Sequence, residues 1–303
     1  MNNETIKISA TTYVRNGLKM MYPFIQSIQS ALPLIDEYIV VLGDSNDGSR
    51  EAILNIGSTK IKIVDTIWDM NMREGGKLFA LQSNIGLDHA KGDWVLHLQA
   101  DEVIHENDLA KLKKYIYQCN DQPKVEGLLF PFLNFRGDYK HIHTGRQAHR
   151  FEIRAFKRNL LIRSYKDSQG FRKFNSLQAC VEGEKGEKLH VTKIDVPIFH
   201  YNCVRPPKQM KEKAKVFSSM YYNDEWIERH FNDLTEIDYN QVDKLEVFEG
   251  SHPKVMEEII KNSDCEFVYD PFKSNSSLRH KILNRIEDIT GYRIGEYKNY
   301  KII

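Results

Sequence analysis

Cysteine is scarce in this chain of 303 residues: there are four, Cys119, Cys180, Cys203 and Cys265, set far apart and with no CxxC pair. That spacing argues against a zinc knuckle and against a disulfide framework, leaving buried or incidental thiols as the reading. Net charge is lacking as well, because 43 Lys and Arg nearly cancel 42 Asp and Glu. No global field then recruits nucleic acid or an acidic membrane, and an anionic substrate has to be held by local groups. Long apolar runs are missing too. Ile39-Val40-Val41-Leu42 is typical, far short of the roughly 18 to 20 residues a bilayer span needs. Met1-Asn2-Asn3-Glu4 has neither the basic nor the apolar region of a signal peptide, so a soluble, cytoplasmic protein is expected.

What is present is 41% hydrophobic and 11% aromatic, enough for one large α/β domain with an appended segment. Ile6 to Val14 is β-branched and stops at Arg15-Asn16-Gly17, which predicts a first strand. Leu18 to Leu32 carries apolar residues at helical spacing (Met21, Phe24, Ile25, Ile28, Leu32), and Tyr38 to Leu42 reads as a doubly buried parallel strand. A helix from Arg50 to Ile56, a strand from Lys60 to Asp65 and a helix from Leu78 to Ala90 come after it. Next is Gly92-Asp93-Trp94-Val95-Leu96-His97-Leu98-Gln99-Ala100-Asp101-Glu102, a buried strand ending in two carboxylates just before a helix. Strands alternating with helices predict a mostly parallel sheet. In such a sheet the polar groups at 13–16, 44–47 and 99–102 share the carboxyl edge, where open α/β sheets bind their ligands. An isolated Asp-Glu pair is more often a helix cap, but three polar clusters on one edge favour a site.

The second part changes character. Leu128 to Phe135 and Arg150 to Phe156 predict antiparallel or mixed strands, the latter with Arg150, Glu152 and Arg154 on one face. Lys193 to Phe199 predicts a last strand ending at His200-Tyr201. From Pro206 the pattern is helical, with Met210, Ala214, Phe217 and Tyr221 on one stripe. The expected division is 1–205 as the binding and catalytic domain and 206–303 as a helical C-terminal extension packing on the sheet or on a partner. His141 and His143 share a strand face, and with His149 they raise a zinc alternative. No further ligand at metal-site spacing completes it, so acceptor binding or a plain polar strand is favoured.

These stretches resemble the family 2 glycosyltransferases of GT-A fold, a Rossmann-like α/β class. The resemblance rests on Val14-Arg15-Asn16, on Ser45-Asn46-Asp47-Gly48-Ser49, on Gly92 to Val95 followed by Gln99-Ala100-Asp101-Glu102, and on His200-Tyr201 with Arg205. It covers about residues 6 to 205. Two positions depart from the family pattern. Gln99 stands where the first Asp of Asp-x-Asp is usual, and Leu42-Gly43 stands where the second strand usually ends in an acid, with Asp44 shifted onward.

The resemblance implies a sugar transfer, with inversion, from a UDP- or GDP-sugar to a glycan or lipid-linked acceptor, the latter compatible with peripheral membrane association. It implies Mn²⁺ or Mg²⁺ held by Asp101 and His200, and Arg205 as phosphate partner. Tyr13, Arg15, Asn16 and Asp44 are expected at the nucleoside, Gln99 and Ala100 beside the donor, and Arg73 and Lys77 at the diphosphate from a glycine-rich loop. Asp167 is the expected general base, with Glu182 in reserve. Two other readings are a nucleotidyltransferase-like or nucleotide-sugar-binding protein and a catalytically silent scaffold. The first predicts a Gly-rich cationic loop after strand one, where only Arg15-Asn16-Gly17 is found.

Overall fold

A computed structural model describes residues 5–166, 170–274 and 276–303. The first third alternates as the sequence predicts: β1 (Ile8–Val14), α1 (Phe24–Ala31), β2 (Glu37–Leu42), α2 (Ser49–Leu54), β3 (Ile61–Asp65), α3 (Lys77–His89), β4 (Trp94–His97), a short β5 (Glu102–Ile104) and α4 (Leu109–Asn120). β1 pairs in parallel with both β2 and β4, and β2 with β3. This gives the order β3-β2-β1-β4, continued on the far side by antiparallel β8 (Phe151–Lys157). β2 and β4 are buried on both faces, as expected of central strands covered by helices on both sides. Tyr38, Val40, Trp94 and Leu96 are fully buried and pack with Phe24, Ile28 and Leu112 of the helices.

Gly92 marks the entry to β4 for a steric reason. A Cβ there would lie 2.6 Å from Ser9 N, so only glycine lets the chain turn in beside β1. The helix expected from Leu18 is shorter and begins after Pro23. Proline disfavours the helical conformation in the residue before it, here Tyr22, and so delays the start.

β6 (Gly127–Arg136) is the hub of the second half. It pairs antiparallel with β7 (His141–His143) and β8, and parallel with β12 (His190–Lys193) and β13 (Ile198–Cys203). The single strand expected over Lys193–Phe199 is thus two, separated around Pro197, and His200 and Tyr201 lie inside β13 rather than after it. β13 also receives β5 in antiparallel register, with His200 opposite Glu102. A small sheet of β9 (Ile162–Ser164), β10 (Phe171–Lys173) and β11 (Glu187–Lys188), with α5 (Leu177–Val181), covers one end.

The remaining chain comprises α6 (Pro207–Ser219), α7 (Asp224–Phe231), β14 (Leu245–Val247), α8 (Glu257–Lys261), α9 (Leu278–Thr290) and β15 (Lys301–Ile302). It is not only helical: β14 adds to β7 and β15 to β12. No helix among the described residues is long and apolar enough to cross a membrane.

Candidate active site

A cleft of about 330 Å³ opens where β1 and β4 end. Of the expected residues, Tyr13, Arg15, Asn16, Gln99, Ala100, Asp101 and His200 all line it. The loop after β4 is built as a turn: Glu102 N donates to Gln99 O (3.1 Å), and Gln99 N donates to Glu102 Oε2 (3.1 Å). Glu102 itself is fully buried and takes a two-pronged ion pair from Arg154 of β8, both contacts at 2.7 Å. Burial would raise the Glu102 carboxyl, but the guanidinium beside it holds it below the ordinary value. Arg154, raised by the same partner against its own burial, stays charged.

Asp101, beside Glu102, is 6% exposed. Its Oδ2 is 3.3 Å from the ammonium of Lys213, a residue of α6, and its Oδ1 is 3.7 Å from His200 Nε2. Burial favours the neutral acid, yet Lys213 first, with Arg205, brings Asp101 below its ordinary pKa. Lys213 is buried, donates to Asn202 O at 2.9 Å, and sits 4.6 Å from the centroid of the Tyr22 ring. Desolvation pushes it down to about 8 even with the carboxylate opposing.

The His200 ring offers a test of whether the site suits a divalent cation. Its Nδ1 lies 2.8 Å from Asn134 Oδ1, an acceptor, so the ring proton belongs on Nδ1 and the Nε2 lone pair faces Asp101. Burial lowers the imidazole pKa and keeps it neutral. A lone pair beside a carboxylate oxygen is an arrangement of two ligands rather than of a hydrogen bond, so the donor set fits two coordination positions. Among the described residues no group of three or more His, Cys, Asp and Glu side chains converges for a metal. The other positions would fall to donor oxygens and water.

Facing these charges is an aromatic wall that the sequence pattern does not single out. Tyr13 stacks with Phe79 at 6.1 Å, Trp68 meets Phe79 edge-on at 5.9 Å, and Phe79 stacks with Phe217 of α6 at 5.7 Å. Trp68 explains the departure at Gly43: a Cβ there would be 2.5 Å from the indole nitrogen. That nitrogen is buried against Gly43, with no hydrogen-bond partner among the described residues.

Other expected residues lie elsewhere. Asp44 holds Arg15 (2.9 Å) and accepts from Trp68 N (3.1 Å), so it braces the wall from behind. Arg205, expected at the phosphate, is instead 1% exposed beneath the cleft and donates to Asn202 O and Met21 O. Arg73 is engaged by Asp224 at 2.7 Å, and Lys77 is exposed at the start of α3. The glycines between them serve another purpose. Gly76, at φ 69°, donates its N–H to Met220 O (2.9 Å) and so docks the turn after α6. Glu182 ends α5 on the surface, bonded to Gln178 (2.8 Å). Asp167 lies outside the described residues. His141 and His143 are held by different acids, Asp138 (2.8 Å) and Asp243 (2.7 Å), so the two rings do not share a ligand set.

The model of a family described as Glycosyl transferase family 2 matches residues 9–176, more than half of the chain. The chain belongs to glycosyl transferase family 2. Solved structures resemble it at a distance. Staphylococcus aureus TarS 1–349 matches at 14% identity and TM-score 0.39, covering 71% of this chain and 65% of that one, so less than two thirds of TarS 1–349 is spanned. Glucosyl-3-phosphoglycerate synthase of Mycobacterium tuberculosis, in complex with Mn²⁺, UDP and phosphoglyceric acid, matches at 14% and 0.39 over 73% and 81% of the two chains. Among curated proteins none matches. Lys213 and Phe217 of the cleft lie beyond the residues that the family 2 model matches.

Proposed function

We propose that this family 2 member transfers a sugar, with inversion, from a UDP- or GDP-sugar to a glycan or lipid-linked acceptor. The observation that carries the reading is the pairing of Lys213 with Asp101 at the carboxyl edge of the sheet, opposite a wall of aromatic rings. A nucleotide sugar has those two halves: a flat base that stacks on rings and a diphosphate that needs buried positive charge. Tyr13, Trp68 and Phe79 hold the base, Arg15 offers it hydrogen bonds, and Gln99 serves the ribose. Lys213 faces the departing diphosphate, where a fixed cation is worth most as charge develops.

Asp101 and His200 would hold Mn²⁺ or Mg²⁺, which supplies further neutralisation of the leaving group when bound. Arg205 acts one layer out, favouring the charged form of Asp101. Residues 1–205 carry the binding sheet, and 206–303 contribute α6 as its lid-like wall.

The decisive experiment measures nucleoside diphosphate release from a panel of UDP- and GDP-sugars, with and without Mn²⁺, alongside thermal shift with each donor. Binding and slow hydrolysis of at least one donor are expected. A chain that binds none of them rules the reading out.

A further inference from the structure

A second cleft of about 340 Å³ lies against the first, and the two share His149 and Glu152 as lining residues. Strand β8 runs from one to the other. Alternate residues of a strand point the same way and are spaced by roughly 7 Å, so its polar face steps from Arg154 in the donor cleft, through Glu152, to Arg150 in the second cleft. Glu152 is thus the carboxylate at the junction.

Its neighbours are arranged around it. Arg154 gives its guanidinium to Glu102 in two contacts, and Arg150 is engaged by Glu296 and Glu287. Gly170, at φ 111°, passes so close that a Cβ there would lie 3.3 Å from Glu152 Oε2. The second cleft itself is polar, but Tyr297 and Tyr300 also line it, a mixture suited to a sugar bearing several hydroxyls.

Resting on the transferase reading above, we propose that Glu152 is the general base, and that the acceptor hydroxyl reaches it through the second cleft. The hydroxyl oxygen bonds to the anomeric carbon and its proton passes to Glu152. The bond from that carbon to the phosphate oxygen breaks, and the electron pair leaves on the nucleoside diphosphate.

The test uses the full chain and a donor that the wild type hydrolyses, with water as acceptor. Glu152→Gln is expected to lower the rate of nucleoside diphosphate release by about 10² to 10⁴-fold with donor affinity unchanged. In Glu152→Ala, azide, a nucleophile with no proton to lose, is expected to restore donor consumption and give the glycosyl azide. Release by Glu152→Gln within threefold of wild type, or an alanine variant that binds donor but is not rescued by azide, overturns the assignment. Loss of donor binding by Glu152→Gln overturns it too, since the residue would then be a donor ligand. A wild type that binds no nucleotide sugar contradicts the transferase reading instead, which keeps the two failures apart.

Discussion

Lys213 is the residue on which the cleft's electrostatics turn, because it is the ammonium held against Asp101 inside a nearly dry pocket. Lys213→Met keeps most of the stem's packing and removes the charge. Donor turnover should fall by about 10²-fold or more, and the unfolding midpoint should fall too, because buried Asp101 loses its nearest counter-ion; equal turnover by the folded variant would remove Lys213 from the donor site. Arg154 poses the opposite case. Its removal strands Glu102 as a buried, unpaired carboxylate, so Arg154→Met should cost about 3–5 kcal/mol in urea unfolding. Replacing Glu102 with Leu as well should recover much of that loss, and a double variant as unstable as the single one would contradict the pairing argument. Neither partnership was legible in the sequence. Lys213 falls between residues of an apolar helical stripe and reads as a solvated position, and Arg154 meets Glu102 only through the β4–β8 register, which no local pattern encodes. Asp101 and Gln99, by contrast, were legible because they end a strand whose apolar run is unmistakable.

At the scale of elements, strands and helices with long apolar periodicity stood out and short pairings did not. β1, β2 and β4 arise from their buried runs, whereas β3 is a half-exposed edge strand. β14 and β15, of three and two residues, have no pattern of their own and exist because β7 and β12 leave edges to pair. The antiparallel β7–β14 contact is fastened by Asp243, which accepts from His143 Nε2 (2.7 Å) and from the backbone N–H groups of Arg146 and Gln147. Burial opposes its ionisation, but those donors bring the carboxyl down to about 2. A folded-state pKa below the unfolded value of about 4 means a contribution fully present above that value and lost as pH falls from about 4 towards 2. Asp243→Asn should therefore lower stability at pH 7 by about 2 kcal/mol and flatten the acid-unfolding curve in that window. Curves that stay parallel for both proteins would show that the carboxylate contributes nothing there.

For the whole molecule, the chain after residue 205 is tied to the sheet by more than helix packing. Arg293 donates to Ala148 O (2.7 Å) and Thr144 O (3.1 Å), and β15 lies beside β12. Unfolding of the full chain should be a single cooperative transition in calorimetry, and residues 1–205 expressed alone should lack it; a sharp transition in that fragment would make the sheet independent of residues 206–303. The expected division at residue 205 rested on a change in composition alone. The interlocking was not legible, since it depends on long-range contacts between segments with no shared motif. Because Lys213 and Phe217 ride on α6, past the stretch that defines the family, a chimera that grafts residues 9–176 onto another tail would inherit Asp101 without its counter-ion and the aromatic wall without Phe217. Under the transferase proposal, exchange of that one helix would retune the cleft's charge and its apolar wall, with the strands beneath it left untouched.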